Sequence, residues 1–428
     1  MCDDDLTPPR ADLTEDEWLR AEPTAGRAPH PHAPVPATGT EARPTTRPGT
    51  GAGLPGRRTV LGGALAAGAL GLLTAGPGAG RAHAAGDPTR TAARSAKFPL
   101  PTAPDAAGEF TVLVTGDAGT GGAGQLAVMA AAREVARARG VDLAVGLGDN
   151  IYENGPESAT DSEFTTKFET PNTGVDVPWL MVLGNHDCSG LIPGSGGDPS
   201  RGDREVAYAA GSPRWYMPSR YYSVALPDTT PGADPLVEFF ALDTNPVAST
   251  VTQVDPYYRW NGPYMREQRS WLDRALTASR ARWKIVLGHH PYLNNGKHGS
   301  AGSYDGFVIG HYTSGIHLKE LYEEVVCGRA DLILSGHDHT LQVLEPTGRS
   351  RGTRQIVCGA AAKTGDGKAH FSHPSAWQNF TDLGFMTLTV SARGLTLDTH
   401  TVDPAGRTAR TAHSITLTAP LNAPARTH

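Results

Sequence analysis

The chain has 428 residues, enough for one large domain or two ordinary ones, with 39% apolar residues and high Gly (51) and Pro (34) counts. A net charge of -6 and the lack of any Lys/Arg run in the middle of the chain leave no basic field for a polyanion, which argues against a nucleic-acid partner.

Residues 1–56 are Pro/Thr/Ala/Arg-rich, as in Ala33-Pro34-Val35-Pro36, with few side chains that could fill a core, and are expected to be disordered. Residues 57–84 have the layout of a twin-arginine signal peptide: Arg57-Arg58, an uncharged Gly/Ala/Leu stretch to Gly80, and a small-x-small site at Ala82-His83-Ala84. A retained anchor is the competing reading, but Pro77 interrupts the stretch before the roughly 20 apolar residues that a span requires. The expectation is therefore a protein that is secreted or held at the cell envelope, with the twin-arginine export machinery as a partner and no stable membrane span. Cleavage after Ala84 leaves Cys188, Cys327 and Cys358, an odd number and so no disulfide framework. One Cys327–Cys358 bridge and three unpaired thiols both stay open.

Residues 85–109 read as a polar linker, and a regular domain follows over 110–403. Apolar runs predict strands at Phe110–Thr115, Asp142–Leu147, Trp179–Leu183, Val237–Leu242, Trp283–Leu287, Leu332–Leu334 and Arg354–Val357. Phe385–Val390 and Leu395–Thr401 read as a closing antiparallel pair. Helical spacing predicts helices at Gln125–Arg139, Met265–Ser279 and His317–Val326. Residues 404–428 return to Thr/Ala/Pro-rich sequence and read as a tail. Strands alternating with helices, then strands in pairs, give an α/β core with a mixed sheet.

Nearly every apolar strand ends in Gly followed by Asp, Asn or His: Gly116-Asp117, Gly148-Asp149-Asn150-Ile151-Tyr152, Gly184-Asn185-His186-Asp187, Gly288-His289-His290-Pro291 and Gly336-His337-Asp338-His339. Open α/β sheets place their sites just past strand C-termini. One Gly-Asp is often only a turn. A series of such corners is hard to explain that way, and carboxylate, amide and imidazole donors suit Fe, Mn or Zn.

The order of these corners resembles the calcineurin-like metallophosphoesterase superfamily, and within it the purple acid phosphatases of the small, tartrate-resistant type. Most of the superfamily has Asp-x-His at the first corner; here Gly119 replaces that His, and Tyr152 supplies a ligand at the second corner. Gln268-x-x-Trp271-Leu272, Arg214-Trp215-Tyr216-Met217-Pro218, Tyr221-Tyr222, His298-Gly299 and Thr340-Leu341-Gln342 resemble that group as well. The resemblance covers roughly Phe110 to Val390 and makes 110–403 the catalytic domain. It implies a four-layer α/β/β/α sandwich with two mixed sheets (α+β by some schemes). It further implies Fe(III) held by Asp117, Asp149, Tyr152 and His339, and a divalent Fe, Zn or Mn held by Asp149, Asn185, His289 and His337. A phenolate is a hard anionic donor suited to a trivalent ion. The implied reaction is hydrolysis of a small phosphate monoester by in-line attack of a metal-bound hydroxide. His186 would hydrogen-bond the phosphoryl group, and His298, alone or together with His186, would protonate the leaving group. Asp187 and Asp338 are expected to orient neighbouring imidazoles from behind.

His290 reads as a wall residue, while His311, His317, His370 and His373 fit no motif. Cys188 has no paired base, and no Gly-x-Ser-x-Gly elbow occurs. The pocket rim is expected from residues 188–222 and 294–314. The same ligands would serve a phosphodiesterase or phospholipase, and a non-catalytic binding protein on this scaffold is the alternative from another class.

Overall fold

Short runs of β-branched and aromatic residues bounded by glycine give this chain many brief strands rather than few long ones. The computed structural model describes residues 98–421 except 229, 231, 305–313 and 406. The 1–56 extension, the expected signal peptide at 57–84, residues 85–97 of the expected linker and His311 lie outside the described residues. The chain lays β1 (Glu109–Thr115), β2 (Leu143–Gly146), β3 (Trp179–Met181) and β4 (Trp215–Tyr216) into a first sheet. It then crosses to a second for β5 (Tyr222–Leu226), β6 (Val237–Ala241), β7 (Trp283–Leu287), β8 (Leu332–Ser335), β9 (Leu341–Leu344), β10 (Arg354–Cys358) and β11 (Ser375–Asn379). It returns for β12 (Gly384–Ser391), β13 (Leu395–Asp403) and β14 (Thr408–Leu417). The two seven-stranded sheets have the orders β14-β13-β12-β1-β2-β3-β4 and β11-β9-β10-β8-β7-β6-β5. Both are mixed: β1 to β4 run parallel while β12, β13 and β14 pair antiparallel. In the second sheet β6, β7, β8 and β10 are parallel.

Alternation along the central strands makes the layers. Phe239, Ala241, Ile285, Leu287, Leu332 and Leu334 join the large cluster that also holds Val112, Leu143 and Leu388 of the first sheet. Their neighbours Phe240, Val286 and Ile333 point the other way, beneath Trp271, Leu272 and Leu276 of the helix Pro263–Ala278 and Leu318 and Leu321 of the helix Ile316–Leu321. A strand buried on both faces reads as a continuous apolar run, which is why these strands stand out in the sequence. The helix Ala123–Arg139 packs on the first sheet. The result is the α/β/β/α sandwich.

Differences from the sequence reading fall at the edges. Residues 408–417, taken as tail, form β14, paired along β13 from Leu395↔Leu417 to Asp403↔Thr408. β4, β5, β9 and β11 are also additional strands. An edge strand needs apolar residues on one face only, so composition hides it. His317–Val326 is helical but changes to a wider π turn over Tyr322–Val326. Cys188, Cys327 and Cys358 are buried free thiols, so the Cys327–Cys358 bridge does not form. Among the described residues no helix is long and apolar enough to cross a membrane.

Candidate metal centre

The polar corners all follow parallel strands: Asp117 after β1, Asp149 and Tyr152 after β2, Asn185 after β3, His289 after β7, and His337 and His339 after β8. Three of these residues take left-handed backbone, Asp117 (φ 57°), Asp149 (φ 53°) and His337 (φ 69°). Such a conformation costs roughly 1–3 kcal/mol for a residue with a Cβ and persists where the surroundings enforce it. Here they do: the Asp117 amide donates to the Gly148 carbonyl (3.0 Å), and the His337 amide donates to Asp117 Oδ2 (2.9 Å). The preceding glycines give the side chains room. A Cβ at Gly184 would stand 2.1 Å from Asp149 Oδ1, and one at Gly336 would stand 2.4 Å from Asp117 Oδ2.

Two groups of donors result. In one, the Tyr152 hydroxyl donates to Asp117 Oδ1 (3.2 Å) and lies 3.2 Å from His339 Nε2, which is 3.7 Å from Asp117 Oδ1. In the other, Asn185 Oδ1 lies 2.9 Å from His289 Nε2 and 3.1 Å from His337 Nδ1. Asp149 faces both groups, 3.5 Å from His289 Nε2 through Oδ1 and in contact with the Tyr152 hydroxyl.

The donor chemistry fits a cation. His289 Nδ1 donates to the Leu147 carbonyl (2.8 Å), which in the neutral ring leaves a lone pair on Nε2. The Asn185 amide nitrogen donates to the Gly194 carbonyl (2.8 Å), turning Oδ1 inward. In the neutral ring, two lone pairs then meet at 2.9 Å, the arrangement that two ligands of one ion adopt. Donor atoms of Asp117, Asp149 and His289 lie within 4.8 Å of one another, as do those of His289, His290 and His337.

Residues 110–341, more than half of the chain, match the calcineurin-like phosphoesterase family. The chain belongs to that family. Purple acid phosphatase 4 of Arabidopsis thaliana is 26% identical over 310 residues, which span 69% of this chain and 81% of that protein. Tartrate-resistant acid phosphatase type 5 of Rattus norvegicus is 29% identical over 242 residues, 54% of this chain and 65% of that protein. Among solved structures, GAP50, the anchor in the inner membrane complex of Plasmodium, superposes with a TM-score of 0.56 at 19% identity, covering 73% of this chain and 89% of its own. PhoD superposes at 0.50 with 15% identity, covering 76% and 72%. At these identities the two structures show the fold alone.

For a calcineurin-like phosphoesterase, the electrostatics of the pocket are those expected of a cation site. Burial, then the neighbouring Asp149, pushes the Asp117 carboxyl well above its usual range. Burial and both carboxylates hold the Tyr152 phenol well above 10. Burial also opposes ionisation of Asp149, but the imidazoles of His289 and His186 outweigh it and pull the group down to about 2. Burial, reinforced by neighbouring histidines, holds His337 well below its ordinary value and His339 at about 3. A neutral imidazole is the form that binds metal.

Behind the donors, Asp187 and Asp338 gather backbone and side-chain amides. Asp187 accepts from the amides of Asn150 (2.7 Å), Ile151 (2.9 Å) and Gly184 (2.8 Å), locking the second corner to the third. Asp338 Oδ2 accepts from the His298 amide (2.9 Å) and the Asn294 side chain (2.8 Å). A carboxylate has room for several N–H donors, and at tight corners the free amides claim them. Imidazole orientation comes from carbonyls, Leu147 for His289 and Glu153 for His186 (Nδ1 to oxygen, 2.6 Å). His298 is on the pocket, its ring 4.8 Å from that of His337. His290 is a buried wall residue, bonded through Nδ1 to Thr244 Oγ1 (2.8 Å), although its ring lies 4.6 Å from that of His337. His317 stacks on Trp260, His370 pairs with Asp366, and His373 bonds Ser300.

Sequence reasoning missed Asn294, Glu153 and Lys363. Asn294 accepts from Gln342 (2.6 Å) and donates to Asp338, tying the His298 loop to β9. Lys363 lies over the Tyr152 ring and pairs with Glu153. From the expected rim, Gly194 and His298 do border the donors. Gln268 and Arg214 prove to be scaffold: Gln268 clamps the backbone of Asp243, and Arg214 pairs with Glu169 and Asp176.

Proposed function

We propose that this protein is an exported acid phosphatase that hydrolyses small phosphate monoesters at a two-cation centre. Asp117, Asp149, Tyr152 and His339 would hold Fe(III); Asp149, Asn185, His289 and His337 would hold a divalent Fe, Zn or Mn. The observation that carries the reading is the 2.9 Å approach of His289 Nε2 to Asn185 Oδ1, with the ring's Nδ1 already engaged by the Leu147 carbonyl. It is supported by the convergence of a phenol, a carboxylate and an imidazole at Tyr152 and by the likeness to purple acid phosphatases at 26% and 29% identity. Bound there, a pair of cations would neutralise phosphoryl oxygens and lower the pKa of a water molecule.

The chain's own groups do the remaining work. His186 has Nδ1 committed to the Glu153 carbonyl, so it would donate from Nε2 to a phosphoryl oxygen as the imidazolium, with a proton on each nitrogen, when negative charge builds there. His298, held by its backbone amide on Asp338, stands beside His337 and is assigned the proton for the leaving alkoxide. Export is supported by Arg57-Arg58 and the small-x-small site at 82–84; Arg57→Lys with Arg58→Lys should leave the protein in the cytoplasm, and normal export of that variant would refute the route.

The test pairs p-nitrophenyl phosphate with its bis ester, alongside metal analysis and a visible spectrum. Expected are a preference for the monoester, two metals per chain, and a violet or pink band that Tyr152→Phe abolishes. A strong diester preference overturns the substrate assignment, and an active, colourless protein carrying only Mn or Zn overturns the iron assignment.

A further inference from the structure

Lys363, in the loop between β10 and β11, lays its ammonium 3.6 Å from the centroid of the Tyr152 ring. That is well inside the roughly 6 Å reach of a cation–π contact. The same ammonium is 3.4 Å from Glu153 Oε1, so the residue after the tyrosine anchors the lysine over it. Tyr152 is 2% exposed and has a second neighbour in the His186 ring, 4.4 Å away. Against these stand Asp117 and Asp149, two carboxylates facing the same hydroxyl. Lys363 thus sets a positive charge against the ring of a residue whose oxygen is surrounded by negative ones.

We propose that Lys363 is a positioning residue for the Tyr152 ligand, its ammonium stabilising the charge of the tyrosinate and setting the energy of the tyrosinate-to-iron charge-transfer band. The inference rests on the reading of Tyr152 as an Fe(III) ligand. In such a band an electron leaves the ring for the metal. A cation against the ring stabilises that electron where it starts and so widens the gap. Without the ammonium the gap narrows and the band moves to the red. Coulomb's law at an effective dielectric constant of about 20, with the charge a few ångströms nearer the ring than the ion, gives a shift on the order of 10 nm. Glu153 partly cancels the lysine, so its neutralisation acts in the opposite sense.

The experiment compares visible spectra and iron content of the iron-loaded full chain for wild type, Lys363→Met, Lys363→Arg and Glu153→Gln. Expected are a red shift on the order of 10 nm for Lys363→Met at unchanged iron per chain, return to the wild-type position for Lys363→Arg, and a blue shift for Glu153→Gln. A Lys363→Met band at the wild-type wavelength with equal iron overturns the proposal. So does a Lys363→Arg band displaced as far as that of Lys363→Met, because charge would not be the cause. Should Lys363→Met fail to fold, an unmoved Glu153→Gln band is the overturning result. Iron-bound wild type without any visible band removes the tyrosinate reading itself, and that outcome is seen before any variant is made.

Discussion

Around Tyr152 the donors are mainly oxygens, from Asp117, Asp149 and the phenol, with His339 as the single ring; around Asn185 they are the imidazoles of His289 and His337 with one amide oxygen. Both groups hang from the same kind of strand end, yet their electrostatics differ. In the oxygen group, burial and the neighbouring carboxylates make Asp117 and Tyr152 both resist ionisation. In the imidazole group, burial already keeps His337 in its neutral, metal-binding form. The difference teaches that two donor sets on one kind of strand end need not be alike: one offers mostly anionic oxygens and the other mostly neutral nitrogens.

The largest expected effect comes from Asp149, which belongs to both halves: Asp149→Ala should lose both metals and all turnover, and metal analysis showing one ion retained would separate the halves after all. Asn185→Ala and His337→Ala should each abolish turnover while leaving the visible band of the oxygen half in place; a bleached Asn185→Ala would mean that the halves do not load independently. His298→Ala should slow alkyl phosphates by roughly 10²–10⁴-fold, the range of general acid catalysis, and p-nitrophenyl phosphate far less. Equal losses on both would remove His298 as the proton donor.

The smallest effect supplies a control away from the oxygens. His400 on β13 is buried, bonded to Thr387 Oγ1 (2.9 Å) and stacked on Phe385, and burial, helped by Arg139, lowers it to about 4. Its folded pKa is depressed below the ordinary histidine value, so the unfolded chain takes the proton first. The stability it contributes is complete above pH 6.5 and is lost as pH falls towards 4, by about 1.4 kcal/mol per pH unit at most. His400→Gln should therefore flatten the fall of Tm between pH 6.5 and 4.5; an unchanged slope would place the acid sensitivity in the pocket histidines.

What the sequence disclosed and what it hid follow from range. The corners were legible because an apolar run, a glycine and a polar residue are contiguous, and the strand that presents them is buried on both faces. Lys363 left no such trace: it reaches Tyr152 from a distant loop, and a lone lysine after Ala360-Ala361-Ala362 resembles any surface lysine. Thr408–Leu417 was hidden because a half-exposed strand of Thr, Ala and Arg lacks an apolar signature.

That last strand matters to anyone trimming the protein. A chain cut after Asp403 would strip β13 of the partner it pairs with from Leu395 to Asp403, leaving a nine-residue row of amides and carbonyls open at the rim of the first sheet. Open rims of that kind recruit one another, so the shortened molecule should clump while its distant pocket remains intact.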